Sequence, residues 1–192
     1  MATYLPPIEH PRGLLLKLGY FFTRRQFGKV PTPLAVFSAR MPIGFLSLYG
    51  KVSRLDRKLK VPPETAQLIR EQVASINMCF FCMDAARWAA TRKAADAAAR
   101  FDALPEYRTS PLFTDAERAA LDYATELTRN KEVTPDTLAR LARHYDEREI
   151  CDIVWLVASE HLYNMSNIGL NLGSDGFCEV PSRTVPAGGA AA

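Results

Sequence analysis

From about residue 63 to about 172, apolar side chains recur at helical spacing and no stretch alternates with the period of two that a half-buried strand requires. Such a chain is expected to be all-α. Pro62-Pro63 followed by Glu64 suits a helical first turn, and Ala66, Ile69, Val73 and Ile76 place a helix over 63–76. Asn77 and Met78 interrupt it. A second helix is expected from near Cys79 to about Ala99, with Phe81, Ala85 and Trp88 on one face. Thr114-Asp115-Ala116-Glu117 is a capping-box pattern opening a helix with Ala120, Ala124 and Leu127. Thr134-Pro135 opens another, carrying Leu138, Leu141 and Tyr145. The last long helix is expected over about 147–170, with Ile150, Val154, Val157, His161, Asn164 and Ile168 near one face.

Flanking this region are two stretches of different character. Residues 1–62 are cut into short pieces by prolines such as Pro31, Pro33 and Pro42, as expected of an arm and short helices packed on a core. Residues 181–192 are rich in Pro, Gly and Ala, have little to bury, and are expected to be a disordered tail. The helical domain itself is expected over 63–180.

Charge excludes some functions. The formal net charge is +3, with Lys and Arg spread along the chain, which gives no electrostatic case for nucleic acid. The densest basic stretch, 51–60, is interrupted by Leu55, Asp56 and Leu59 and reads as a solvated helix face. The apolar patch 14–22 is too short, and too broken by Lys17, to cross a membrane, and no export signal is visible. A cytoplasmic protein is expected. In that compartment four cysteines do not make a structural disulfide framework, and a close pair points to redox or metal chemistry.

That pair is Cys79-Phe80-Phe81-Cys82. At i and i+3 in the first turn of a helix two sulfurs can reach bonding distance, while unpaired N–H groups and the positive end of the dipole favour a thiolate. One sulfur can then act as nucleophile and the other can condense with the resulting sulfenic acid. Two alternatives stand beside this reading. A zinc site needs two further ligands, and Cys151 and Cys178 are isolated singletons. Two buried structural cysteines would suit the apolar neighbourhood of Phe80 and Phe81.

The segment 66–87, with Val73-Ala74-Ser75-Ile76-Asn77 leading into the cysteine pair, resembles the signature of the alkyl hydroperoxidase D-like, or carboxymuconolactone decarboxylase, superfamily. Residues 113–124, Asn164 to Asn167, and Ser174 to Cys178 resemble the second half of its peroxidase-related subgroup. The resemblance implies an alkyl hydroperoxidase D-like helical bundle, usually a homo-oligomer, whose cysteine pair reduces hydroperoxides or exchanges electrons with dithiols, an antioxidant activity. It implies no metal, haem or flavin. By position Cys82 would attack the peroxide and Cys79 would close the disulfide, whereas the helix dipole taken alone favours Cys79 as nucleophile.

This chain departs from the family pattern at two places. The family has a glutamate twelve residues before the first cysteine and a histidine four after the second, which together relay a proton. Gln67 and Ala86 stand there instead, and neither takes up a proton near neutral pH. Glu71, one helical turn beyond Gln67, is a candidate base. His161, on the apolar face of the last helix, is a second candidate, against the reading of a hydrogen-bonded core histidine. Asp84 is expected to pair with Arg87 or Arg92, and His10 and His144 suggest no chemistry. Asn164, Asn167 and Asn171 form a polar strip expected to bridge neighbouring helices, with contact to a polar ligand as the other reading.

The leading expectation is a thiol-dependent hydroperoxide reductase taking electrons from a dithiol donor. The rivals are a binding or assembly protein that keeps the fold without turnover, and an enzyme acting on a carbonyl or lactone acid beside His161.

Overall fold

The computed structural model describes residues 2–92 and 97–178, and among them there are helices, turns and coil but no strand. The helices are α1 (Leu14–Phe27), α2 (Thr32–Val36), α3 (Pro42–Asp56), α4 (Pro63–Asn77), α5 (Phe80–Thr91), α6 (Ala97–Asp102), α7 (Asp115–Asn130), α8 (Pro135–Leu141) and α9 (Glu147–Ile168). The tail expected over 181–192 lies outside the described residues.

Local chemistry fixes most of the helix starts. Thr114 accepts a hydrogen bond from the Glu117 amide while the Glu117 carboxylate accepts from the Thr114 amide, a reciprocal capping box that opens α7. Asp146 and Glu149 do the same for α9, and Thr134 caps α8. Proline in the first turn of α4 costs nothing, because its missing N–H would be unpaired there in any case.

Helix α4 is the centre of the molecule and packs on α5, α7 and α9. Ile69 and Val73 of α4 meet Ala120 and Ala124 of α7, Leu141 of α8, and Ile153 and Leu156 of α9, all of them fully buried. Alanines on α7 let that helix lie close, while the branched residues of α4 and α9 fill the space between. On the other side of α4, Leu68 and Leu121 pack with Phe101, Leu104, Tyr107 and Phe113.

Residues before α4 wrap this bundle. Tyr20 donates to the Ile8 carbonyl at 2.6 Å, and the amide of Ile8 donates to the Ala35 carbonyl at 2.9 Å. The end of α3 is tied to α4 and α9 through Asp56, which pairs with Arg70 at 2.9 Å and accepts from the Trp155 indole at 3.0 Å. In the basic stretch 51–60, Lys51, Arg54, Arg57, Lys58 and Lys60 are exposed, as a solvated face requires.

Two boundaries differ from expectation. Helix α8 ends at Leu141, so Tyr145, expected on it, lies beyond its end. The second core helix stops at Thr91 rather than about Ala99, with a turn at Arg92, whose guanidinium lies 4.9 Å over the Trp88 ring. No described helix is long and apolar enough to cross a membrane.

Candidate functional site

Helix α4 ends at Met78, which adopts the left-handed conformation (φ 59°, ψ 35°) and reverses the chain. The next residue, Cys79, donates its amide to the Ala74 carbonyl at 2.9 Å and becomes the N-cap of α5. Cys82 then falls at the third helical position, so both sulfurs lie in the first turn, where backbone N–H groups have no helical acceptor. The two are joined as a disulfide with Cα atoms 5.3 Å apart. Both are buried, Cys79 almost completely.

Helix α9 supplies the polar neighbours. The Asn167 side-chain amide donates toward the Cys82 sulfur at 3.3 Å and lies 3.8 Å from that of Cys79. One turn back, Asn164 donates to Glu160 Oε1 at 2.7 Å and accepts from the Asn77 amide at 2.8 Å. The asparagine strip does bridge helices, as expected, but its last buried member also touches the sulfurs. Asn171 instead donates to the backbone carbonyl of Ala2.

Cys82 opens onto a cavity of about 290 Å³. Its walls come from Pro33 of α2 and Phe37 at that helix's end, Tyr49 and Asp56 of α3, Gln67 and Arg70 of α4, and Phe81 and Ala86 of α5. Glu160, Tyr163 and Asn167 of α9 close it. Cys79 is not among the lining residues. Gln67 and Ala86, the two positions that depart from the relay pattern, do face the same space as Cys82.

The ionisable groups of this cavity are those of Asp56, Arg70, Glu160, Tyr49 and Tyr163. Glu160 is buried, and burial pushes its carboxyl above the usual range despite Arg70 Nη1 at 3.2 Å from Oε2. Burial likewise raises the Tyr163 hydroxyl, whose ring lies 5.9 Å from that of Tyr49.

The two candidate bases lie elsewhere. Glu71 lines a separate cleft of about 620 Å³ with Arg87, Asp102, Tyr107 and Arg108, on the side of α4 away from the sulfur cavity. Burial pushes its carboxyl up to about 8, and its Oε2 has no hydrogen-bond partner. The one-turn offset from Gln67, about 40° around the helix after four residues, is enough to carry it out of the Cys82 wall. His161 is half-buried, with Nδ1 3.2 Å from the Asn77 amide nitrogen, and burial lowers its pKa. It does not line the sulfur cavity either.

Asp84 corrects the expectation of pairing with Arg87 or Arg92. It is fully buried and accepts from Ser174 Oγ at 2.8 Å, the Phe177 amide at 3.0 Å and the Cys178 amide at 2.7 Å. Arg87 pairs with Asp102. Held in this way, Phe177 packs 5.1 Å from Phe27 and 6.0 Å from Phe81, which backs the cysteine turn with an aromatic cluster. Cys151 is exposed and Cys178 is half-buried, and among the described residues no three His, Cys, Asp or Glu side chains gather as a metal site.

Sequence reasoning missed Glu160, Arg70 and Tyr163 as cavity residues. A signal existed for two of them, because Glu160, Tyr163 and Asn167 follow the i, i+3, i+7 spacing of one helical face.

No family model matches the chain. It is 29% identical over 184 residues to the protein YnjA of Escherichia coli (strain K12), covering 93% of this chain and 98% of that one. Among solved structures it is similar to the alkylhydroperoxidase AhpD core of a peroxidase-related protein from Ralstonia eutropha JMP134 (TM-score 0.69, 20% identity, 90% of this chain and 95% of that one). It is also similar to the debrominase Bmp8 in complex with 2,3,4-tribromopyrrole (TM-score 0.72, 22% identity, 89% and 91%). The chain therefore has the alkyl hydroperoxidase D-like fold of the peroxidase-related proteins, the fold that its cysteine segment resembles.

Proposed function

We propose that the protein is a thiol-dependent oxidoreductase that reduces hydroperoxides through Cys82 and Cys79 and recovers its thiols from a dithiol donor. The observation that carries this reading is the asymmetry of the pair: Cys82 opens onto the cavity and receives the shorter of the two Asn167 contacts, 3.3 against 3.8 Å, while Cys79 lies behind it, bonded to it and closed off from the cavity. That arrangement favours Cys82 as the attacking sulfur over the assignment that the dipole alone would make.

In the reduced protein the first-turn N–H groups and Asn167 stabilise a Cys82 thiolate. It attacks the terminal oxygen of the hydroperoxide, so that an S–O bond forms, the O–O bond breaks and an alkoxide leaves to become an alcohol. Cys79 then attacks the Cys82 sulfenic acid, forming the S–S bond and releasing water. Two thiols and one hydroperoxide thus give one disulfide, one alcohol and one water, and an external dithiol reverses the disulfide by exchange.

A second oxidant class is favoured by the aromatic wall of Phe37, Tyr49, Phe81 and Tyr163 together with the likeness to Bmp8. A flat halogenated aromatic would take the same two electrons: the thiolate removes the halogen, the ring carbanion is protonated, and Cys79 displaces halide as the disulfide closes.

Pre-reduced protein mixed with cumene hydroperoxide is expected to lose two thiols rapidly, with an intact-mass change of two hydrogens. Cys82→Ser should abolish the fast loss, and Cys79→Ser should accumulate a sulfenic acid trappable by dimedone. Thiols that survive as long as those of an unstructured cysteine peptide would sink the hydroperoxide reading, and the same experiment with a bromopyrrole would then decide between a halogenated oxidant and a fold without turnover.

A further inference from the structure

Hydroperoxide reduction at Cys82 requires a proton for the departing alkoxide, which is a far stronger base than a carboxylate. Neither residue at the relay positions can give one. Gln67 carries an amide and Ala86 a methyl, and both face the cavity. An acid elsewhere on the same wall would have to replace them.

Resting on the thiol-dependent reading above, we propose that Glu160 is the general acid of this site, giving its proton to the leaving oxygen directly or across one bridging water, with Arg70 and Asn164 receiving the carboxylate that results. Glu160, Tyr163 and Asn167 share one face of α9 and line the cavity onto which Cys82 opens: Asn167 meets the sulfur, and the Glu160 carboxyl, hydrogen-bonded to Asn164 one turn further along the helix, lines the same space. A small substrate in this cavity would lie between them. Glu160 is only 6% exposed, yet it lines the cavity, so the acid meets a bound substrate while the remainder of the side chain is shut from bulk water.

Its hydrogen bonds are set for the state after proton transfer. Oε1 accepts from Asn164 at 2.7 Å and Oε2 lies 3.2 Å from Arg70 Nη1, so two donors stand in place to hold a carboxylate. Arg70 is itself fixed by Asp56 at 2.9 Å. Burial shifts the Glu160 carboxyl upward, the direction a proton donor requires, while Arg70 and Asn164 act the other way. The step balances: the Cys82 sulfur is oxidised to a sulfenic acid, the peroxide is reduced, the alkoxide takes the Glu160 proton and leaves as alcohol, and solvent reprotonates Glu160 once the alcohol has gone.

Three reagents separate this role from a structural one. Cumene hydroperoxide needs a proton on its leaving group, whereas peracetic acid expels acetate and iodoacetamide expels iodide, neither of which does. In Glu160→Gln, pre-reduced, the cumene hydroperoxide reaction is expected to slow by about 100-fold or more, while the other two rates stay within about threefold of the parent. Glu160→Asp, which keeps an acid on a shorter stem, should recover part of the loss and serves if the amide variant melts early. Equal slowing with all three reagents, or an unchanged hydroperoxide rate, would overturn the assignment. A parent protein that reacts with iodoacetamide and not with hydroperoxide would instead remove the reading on which it rests.

Discussion

A single side-chain amide meets the sulfur that faces the cavity. Asn167 is the only described side chain that hydrogen-bonds to Cys82, and it does so from a buried position, where such a bond is worth more than in water. Bonds to a charged group contribute roughly 1.5–3 kcal/mol, enough to change a thiolate population by about tenfold or more. Asn167→Leu should therefore raise the Cys82 thiol pKa and slow iodoacetamide alkylation at neutral pH by about tenfold. The ultraviolet absorbance of the thiolate against pH measures the first, and an unmoved titration curve would show that the helix turn alone sets the nucleophile. The sequence placed Asn167 on a polar strip but could not say which members would meet sulfur and which would meet backbone. That choice depends on where α5 comes to rest against α9, a distance no local pattern encodes.

At the scale of helices, the readable part of the sequence was the part governed by chemistry within a few residues. The capping boxes at Thr114 and Asp146, the Thr134 cap and the proline start of α4 each satisfy or remove orphan N–H groups using neighbours three residues away, so their positions were visible in the sequence. Thr114→Ala is expected to lower stability by about 1 kcal/mol, read as a shifted midpoint in urea with an unchanged slope. An unaltered midpoint would mean that the Glu117 contact with Arg100 holds the start of α7 by itself. Other features lay beyond such reading. Asp84 finds its partners ninety or more residues later, where a charge near two arginines looked like an ordinary surface pair. Pro33, Phe37 and Tyr49 reach the sulfur cavity only because the proline-cut arm folds back over α4 and α5, a tertiary event with no periodic signature.

For the molecule as a whole, a buried carboxyl sets how stability responds to pH. Glu71 would titrate near 4.5 in the unfolded chain and near 8 in the folded one, so the native state holds its proton more tightly. Stability from this group is fully present below about pH 4.5, is lost progressively as pH rises through about 8, and changes no further above that. The total is on the order of a few kcal/mol, moderated by Arg87 nearby. Glu71→Gln should leave the pH 5 melting temperature near that of the parent and raise the pH 8 value. Equal shifts at both pH values would mean that packing, not ionisation, limits the site. Because Glu71 and Cys82 line separate cavities, this substitution should leave thiol reactivity intact.

Ala86 has a consequence of a different kind. A methyl at this position, one helical turn from Cys82, fills less of the cavity than an imidazole would, and Gln67 on the same wall offers hydrogen bonds without a charge. What these two positions then set is the girth of the molecule the cavity can admit, and bulky guests become admissible that a narrower throat would turn away.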